Sequence, residues 1–258
     1  MSGELAGRSA LITGAGRGIG RAIALALAAE GAKLVLVSRT TSELKAVAAE
    51  LAARGAETPR VFTADVRDPA QIGDLARAAT DDDGGVDILV NNAAVVWPLG
   101  PTPTIEPLEW EASFQVNVFA VLRLTQAVLP GMLERGWGRV IDVSSGIVAH
   151  PGAMVGGNAY AAGKAALEAH VVNLAAEVEG SGVTVNAFRP GAVDTAMQAW
   201  IRDQDPAEIG SALHEKFVAG FEGGTLLTPE DSAAALLDHL RGGGNGQIWD
   251  RRVNVPAI

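Results

Sequence analysis

The chain has 258 residues, of which 48% are hydrophobic and none is cysteine. This composition allows a large buried core, and it excludes disulfides, thiolate nucleophiles and cysteine-ligated metals. A formal net charge of -10 makes nucleic acid an unfavourable partner, because such a surface repels phosphate.

Short β-rich runs alternate with longer helical patterns along the chain. The predicted strands cover residues 9–13, 33–37, 60–63, 86–91, 139–143, 183–188 and 247–249. The predicted helices cover residues 21–30, 40–55, a stretch from 68, 107–133, 159–179 and 229–240. Residues 196–225 have no clear period and are expected to form an irregular substrate loop. Strands separated by helices predict one α/β domain over 1–258, with a parallel sheet covered on both faces.

Two helix starts carry capping signals. Thr40 and Glu43 have the spacing of a capping box, in which each side chain bonds the backbone N–H of the other residue. Asp68 and Pro69 fit an N-cap followed by a first-turn proline.

No targeting or membrane segment is expected. The first residues lack a basic start followed by an apolar run, and the apolar stretch 22–37 is interrupted by Glu30, Gly31 and Lys33. The absence of cysteine favours a cytoplasmic location. The four histidines are scattered, so no metal site is predicted.

A glycine-rich turn joins the first strand to the first helix. It reads Thr13-Gly14-Ala15-Gly16-Arg17-Gly18-Ile19-Gly20. Glycines let the backbone approach a pyrophosphate closely, and the following helix offers free N–H groups and a positive dipole end. An ordinary glycine-rich turn is the alternative, since the chain has 31 glycines. The position in the first strand–helix–strand unit favours nucleotide binding.

The end of the second strand indicates which nucleotide binds. NAD sites usually place an acid there to bond the ribose 2′-OH, but residues 31–42 contain none. Arg39, flanked by Ser38 and Thr40, stands there instead, and Arg17 lies in the glycine turn. Because arginine binds phosphate well, these residues favour NADP(H). Two solvated surface arginines are the alternative.

Tyr160 and Lys164 are four residues apart on a predicted helix, so they share one face at about 5–6 Å between Cβ atoms. A nearby ammonium stabilises a phenolate, so we expect the pKa of Tyr160 to lie below the ordinary value of about 10. Such a phenol serves as a general acid or base. The alternative is a partly buried tyrosine beside a surface lysine. No other tyrosine exists in the chain.

Together these motifs resemble the short-chain dehydrogenase/reductase family over residues 7 to 195. The matching pieces are Thr13-Gly14…Gly18-Ile19-Gly20, Asp65-Val66, Asn91-Asn92-Ala93, Asn117, Ser144-Ser145, Tyr160…Lys164 and Pro190-Gly191. The resemblance implies a doubly wound Rossmann fold of about seven parallel strands. It also implies NADP(H)-dependent carbonyl reduction, as in 3-oxoacyl-carrier-protein reductases, and a homodimer or homotetramer.

The resemblance also assigns catalytic roles. Tyr160 is the acid–base, Ser145 bonds the substrate oxygen with Ser144 as the fallback, and Lys164 holds the nicotinamide ribose. Asn117 shapes a helix kink and holds a relay water, although it could simply bond a neighbouring backbone.

The cofactor set combines the motif residues with those that the resemblance adds. Asp65 would meet the adenine edge, or be an ordinary loop acid. The predicted set is Gly14, Arg17, Gly18, Ile19, Gly20, Ser38, Arg39, Thr40, Asp65, Val66, Asn92, Ala93, Tyr160, Lys164, Pro190, Gly191, Val193 and Thr195.

Three departures from the family pattern concern loops. Ala94 stands where glycine is usual, and the Ser145–Tyr160 interval is about two residues long, with Gly156 and Gly157 to absorb the excess. The chain end at 249–252 lacks the family's frequent Asp-Gly-Gly.

The substrate pocket is expected above the carboxyl ends of the strands and to be mostly apolar. The candidates are Trp97, His150, Met154 and Trp200, with Val96 and Phe217 nearby. Ordinary core packing is the alternative for each. A hydrophobic ketone is therefore the expected substrate. An NAD-dependent alcohol dehydrogenase and a catalytically idle NADP(H)-binding regulator are the alternative functions.

Overall fold

A computed structural model of the protein describes residues 5–81, 84–251 and 254–255. The strands are β1 (Ser9–Thr13), β2 (Lys33–Ser38), β3 (Arg60–Thr63), β4 (Ile88–Asn91), β5 (Gly138–Val143), β6 (Val183–Arg189), β7 (Ile248–Asp250) and β8 (Asn254–Val255). The helices are α1 (Gly18–Ala29), α2 (Thr41–Ala53), α3 (Pro69–Asp81), α4 (Pro107–Phe114), α5 (Ala120–Arg135), α6 (Asn158–Glu177), α7 (Ala196–Arg202), α8 (Pro206–Ile209), α9 (Ser211–Glu222) and α10 (Pro229–Arg241).

The strands form one sheet in the order β3-β2-β1-β4-β5-β6-β7-β8. Strands β1 to β7 are parallel, which confirms the predicted doubly wound sheet, and β8 adds a short antiparallel edge. The chain winds outward from β1 in one direction and from β4 in the other. A crevice therefore opens at the carboxyl ends of these two strands.

Both faces of the sheet are covered because neighbouring strand residues point to opposite sides. Ile12 packs with Ile23 of α1, Leu44 of α2 and Leu236 of α10. The adjacent Leu11 packs in the other layer, which α3, α5 and α6 complete. The near-continuous apolar strands of the sequence are thus buried on both sides.

The expected irregular loop at 196–225 is mostly helical, so that prediction is wrong. It contains α7, α8 and α9. Asp205 caps α8 by accepting a hydrogen bond from the N–H of Ala207 at 2.8 Å. The helices are short and interrupted by proline and glycine, so no helical period accumulates in the sequence.

The predicted capping box of α2 is also wrong. The side chain of Thr40 makes no capping hydrogen bond. Glu43 instead accepts a hydrogen bond from Arg17 at 3.4 Å. A true capping box begins α10, where Thr228 and Asp231 bond reciprocally.

The predicted helix at 107–133 is a continuous helical stretch, Pro107–Arg135, with one wide turn at Gln115–Phe119 between α4 and α5. Among the described helices, only this stretch is long and apolar enough to cross a membrane. Its buried residues, which include Val116, Leu124 and Val128, pack against the sheet. Core packing therefore accounts for its apolar composition.

Candidate active site

The glycine turn packs directly onto the end of β4. Asn92 donates to the carbonyl oxygen of Thr13 at 2.9 Å, and its backbone N–H bonds the Thr13 hydroxyl at 3.0 Å. A Cβ on Gly20 would collide with the carbonyl oxygen of Gly14. Gly20 therefore permits close packing of α1 on the turn, and leaves the first N–H groups of α1 facing the crevice.

The crevice is a cavity of about 570 Å³ at the carboxyl ends of the strands. Most of the predicted cofactor residues line it, namely Gly14, Arg17, Gly18, Ile19, Ser38, Arg39, Thr40, Asp65, Val66, Asn92, Ala93, Tyr160, Lys164, Pro190 and Thr195. Ala94 also lines the cavity, so the departure from glycine leaves the wall of the crevice in place. The residue types fit a dinucleotide: glycine backbone and a helix N-terminus at the middle, arginines at one end.

Three predicted cofactor residues do not line the cavity. Gly20 packs beneath it, as described above. Val193 pairs with Leu227 as an isolated parallel bridge, and a Cβ on Gly191 would approach the Leu227 side chain at 2.7 Å. These residues shape the loop behind the cavity wall.

Two arginines lie at the β2 end of the cavity, and only one of them forms an ion pair with a described residue. Arg17 pairs with Glu43 at 3.4 Å. Arg39 is exposed and forms no hydrogen bond or ion pair with the described residues, but its charge helps to lower the pKa of Asp65. Asp65 nearby is engaged by Arg67 at 2.6 Å, and this bond holds the pKa of Asp65 below its ordinary value.

Tyr160 and Lys164 line the other end of the cavity, and Ser145 lies beside Tyr160. Tyr160 and Lys164 lie in the first two turns of α6, and the Lys164 Nζ is 5.8 Å from the centre of the tyrosine ring. Ser145 follows β5 and hydrogen-bonds the Tyr160 hydroxyl. Short turns at Gly146–Val148 and Pro151–Ala153 absorb the long Ser145–Tyr160 interval.

The expected depression of the Tyr160 pKa is wrong for the protein alone. Burial raises the pKa of Tyr160, and the Ser145 hydrogen bond offsets this only in part. Burial also lowers the pKa of Lys164 to about 8, against the opposing charges of Asp142 and Glu168. The Lys164 Nζ donates to the Val143 carbonyl oxygen at 2.6 Å, which fixes the ammonium beside the cavity.

Asn117 lies in the wide turn, so the helix distortion expected at this residue is present. Its side chain accepts from the Val95 N–H at 3.0 Å, and donates to the Val95 carbonyl at 2.8 Å and to Ser113 at 3.1 Å. These contacts agree with the alternative given for Asn117, in which its side chain bonds a neighbouring backbone. The relay water stays a prediction.

The predicted substrate residues divide into two pairs. Trp97 and Trp200 line the cavity, as does Val96. Met154 is buried in an apolar cluster with Val96, Ile209 and Leu213, against which Tyr160 and Met197 pack. Met154 therefore lies behind the cavity wall, and His150 is exposed and does not line the cavity. Met197 of α7 lines the wall and was not predicted, because its segment showed no helical period.

A buried polar cluster supports Lys164 and was not predicted. Glu168 receives two bonds from Arg189, at 2.8 and 2.7 Å, and one from Ser144 at 2.7 Å. Ser144 lines the cavity but its hydroxyl is bonded to Glu168, whereas Ser145 does not line the cavity and is the serine that acts on Tyr160. Asp142 accepts from Asn91 at 2.9 Å, and burial raises its pKa to about 6. The sequence signal that could have predicted this cluster is the presence of charged residues within an apolar strand and helix, because a buried charge needs a partner.

Among the described residues, no group of three or more His, Asp or Glu side chains is arranged to hold a metal ion. The chemistry that these side chains offer is proton transfer at Tyr160, beside a crevice built for a dinucleotide.

Known proteins match this chain closely. The family model "short chain dehydrogenase" matches residues 8–206. The oxidoreductase UcpA of Escherichia coli K12 is 40% identical over 217 residues, covering 83% of this chain and 80% of UcpA. The 3-oxoacyl-[acyl-carrier-protein] reductase FabG of Vibrio cholerae is 36% identical over 229 residues, covering 81% of this chain and 89% of FabG.

Among solved structures, L-sorbose reductase from Gluconobacter frateurii, complexed with NADPH and L-sorbose, superposes with a TM-score of 0.83 at 28% identity, covering 97% of each chain. The family match spans the glycine turn, β5 and the Tyr160–Lys164 helix. The predicted resemblance is therefore confirmed: this chain belongs to the short-chain dehydrogenase/reductase family and is an oxidoreductase.

Proposed function

We propose that this oxidoreductase reduces a ketone to a secondary alcohol with NADPH, reversibly, and that Tyr160 is its general acid and base. The observation that carries the proposal is that Tyr160 and Lys164 line the same crevice as the glycine turn and the two arginines, with Ser145 acting on the Tyr160 hydroxyl. One domain then holds both the cofactor and the chemistry.

The raised pKa of Tyr160 supports the reductive direction. A phenol that stays protonated at neutral pH can donate its proton to a carbonyl oxygen as that oxygen gains negative charge. Ser145, already bonded to the Tyr160 hydroxyl, can donate to the same oxygen and hold it in place. In the reverse direction Tyr160 must lose its proton, and a nearby positive charge favours that loss.

Lys164 supplies part of that charge. With a pKa of about 8 it is mostly protonated at neutral pH, and its bond to the Val143 carbonyl keeps the ammonium near the phenol. Family resemblance adds a bond from Lys164 to the nicotinamide ribose. Asn117, which bonds the backbone of Val95, would hold a relay water.

The donors at the other end support NADP(H). Arg39 and Arg17 would hold a 2′-phosphate, and the turn and α1 N-terminus would hold the pyrophosphate. When bound, the nicotinamide supplies or accepts the hydride. The NADPH complex of L-sorbose reductase, a protein of the same fold, supports this choice.

Trp97, Trp200, Val96 and Met197 favour a substrate with an apolar body. The substrates in the names of two similar proteins, 3-oxoacyl-[acyl-carrier-protein] and L-sorbose, differ so widely that they select no single class. A homodimer or homotetramer in the cytoplasm completes the proposal.

Two other functions are the alternatives to this proposal. An NAD-dependent alcohol dehydrogenase is favoured only by Glu43, an acid at the adenosine end of the cavity. An idle NADP(H)-binding regulator is disfavoured by the convergence of Tyr160, Ser145 and Lys164, because a binding protein needs no buried lysine beside a phenol.

The test is NADPH oxidation with a panel of ketones, keto-esters and acyl-thioester analogues, comparing the wild type with Tyr160→Phe. We expect turnover by the wild type and a loss of at least about a hundredfold in kcat in the variant, with NADP+ still bound. A panel with no turnover despite tight NADP+ binding would favour the regulator.

A further inference from the structure

Glu43 lies at the adenosine end of the crevice, against the glycine turn. It lines the same cavity as Arg17, Ser38 and Arg39. A Cβ on Gly16 would come within 2.8 Å of both Cβ and Oε2 of Glu43. The carboxylate is therefore packed where the turn faces the end of β2.

Glu43 also occupies one of the two arginines there. Its Oε1 lies 3.4 Å from a terminal nitrogen of Arg17, and the two side chains are 30% and 66% exposed. Arg39 has no such partner among the described residues. A phosphate entering this end would meet the exposed Arg39, the paired Arg17 and the carboxylate of Glu43, while the second carboxylate there, Asp65, is engaged by Arg67.

Building on the NADP(H) site of the proposed function, we propose that Glu43 is a specificity-determining residue that limits the preference for the phosphorylated cofactor. It holds Arg17 away from a 2′-phosphate and repels that phosphate, since like charges at close range disfavour binding. A free 2′-OH meets no such repulsion and can donate to a carboxylate, as at NAD sites. The site should therefore accept both cofactors. Its preference for NADP(H) over NAD(H) should be smaller than the preference that two unpaired arginines would give.

The experiment measures the Kd of NADP+ and of NAD+ by isothermal titration calorimetry, in the wild type and in Glu43→Gln. Glu50→Gln is the matched control, because Glu50 lies on the same helix and pairs with Arg21 at 2.7 Å. Thermal unfolding of each variant shows whether it is folded.

We expect the ratio of the NAD+ Kd to the NADP+ Kd to rise about three- to tenfold in Glu43→Gln, the range that an exposed ion pair plus a local repulsion supports. The ratio should not change in Glu50→Gln. In an Arg17→Gln background, the effect of Glu43→Gln should shrink to less than half, because the paired arginine is gone.

A ratio in Glu43→Gln within twofold of the wild type would overturn the inference, as would an equal rise in Glu50→Gln. An undiminished effect in the Arg17→Gln background would overturn the role given to Arg17. A wild type that binds neither dinucleotide would overturn the proposed function and this inference with it, whereas an unmoved ratio overturns the inference alone.

Discussion

Two opposing effects act on the phenol of Tyr160. Burial disfavours the phenolate, while the Ser145 hydroxyl stabilises it by a hydrogen bond, and burial is the larger effect. The helix spacing of Tyr160 and Lys164 placed the two correctly but could not reveal how deeply the fold buries them. The expected sign of the pKa shift failed for that reason.

The pKa of Tyr160 can be measured directly, because it is the only tyrosine of the chain. We expect the phenolate absorbance to appear above the ordinary value of about 10 in the free protein. Ser145→Ala should raise the midpoint further by removing the stabilising bond. NADP+ should lower it, since a positive ring nearby favours the anion. A midpoint below 10 in the free protein, or one that Ser145→Ala leaves in place, would contradict this account.

Arg39 should set the cofactor preference from the other side. Replacing it with aspartate removes the available guanidinium and adds a charge that repels a 2′-phosphate. We expect the ratio of kcat/KM for NADPH to that for NADH to fall by at least about tenfold. Arg54→Gln is the control, because Arg54 is exposed, pairs with Glu50 and does not line the cavity. An unchanged ratio in Arg39→Asp would show that the end of β2 does not bind the phosphate.

Contacts between residues of one local segment could be predicted from the sequence, whereas contacts between distant segments could not. Tyr160 and Lys164 share a helix face, so their spacing was enough. Glu43 directly follows the acid-free stretch 31–42, and its spacing to Thr40 indicated a capping box. Its actual partner, Arg17, is 26 positions away, and no local pattern reports such a pairing.

The same limit appears among the elements. Every strand of the sheet except β8 was predicted, because runs of apolar residues bounded by turns mark buried strands. The helices α7 to α9 were not predicted, because α7 and α8 have only seven and four residues and Gly210 separates α8 from the twelve-residue α9. Trp200 of α7 was predicted and Met197 of the same helix was missed, so the substrate side of the site could be predicted only in part.

Helix capping gives a matched test of two threonines. Thr228 caps α10 with bonds to Asp231, whereas Thr40 precedes α2 without a capping bond. Thr228→Ala should cost about 1 kcal/mol of unfolding free energy, or roughly 2–4 °C in Tm. Thr40→Ala should change Tm by less than about 1 °C on the same reasoning. Equal losses in calorimetric scans would show that cap geometry does not separate the two sites.

For the molecule as a whole, alternation of strands and helices predicts a parallel sheet covered on both faces. The observed strand order places the crevice between β1 and β4. The general location of the site was therefore predictable from the fold class. Which loop residues reach its wall was not, because that depends on how the 196–225 segment folds over the crevice.

Catalysis should not require a metal. The proton donor is a phenol and its supporting charge is an ammonium, so no step calls for a Lewis acid. We expect full activity after dialysis against a chelator. A loss that a divalent metal restores, and that is absent in a chelator-free dialysis control, would show that a metal takes part.

The buried cluster beneath Lys164 has a consequence for how the enzyme responds to ionic strength. Lys164 and Arg189 are cations, Asp142 and Glu168 can carry the matching negative charges, and all four side chains are shielded from solvent. Mobile ions screen exposed charges strongly and buried ones weakly. Arg39 and Arg17, in contrast, stand open to solvent at the far end of the same crevice. Added salt should therefore raise the KM for NADPH and leave kcat nearly constant, so that a salt titration separates cofactor capture from proton transfer within a single active site.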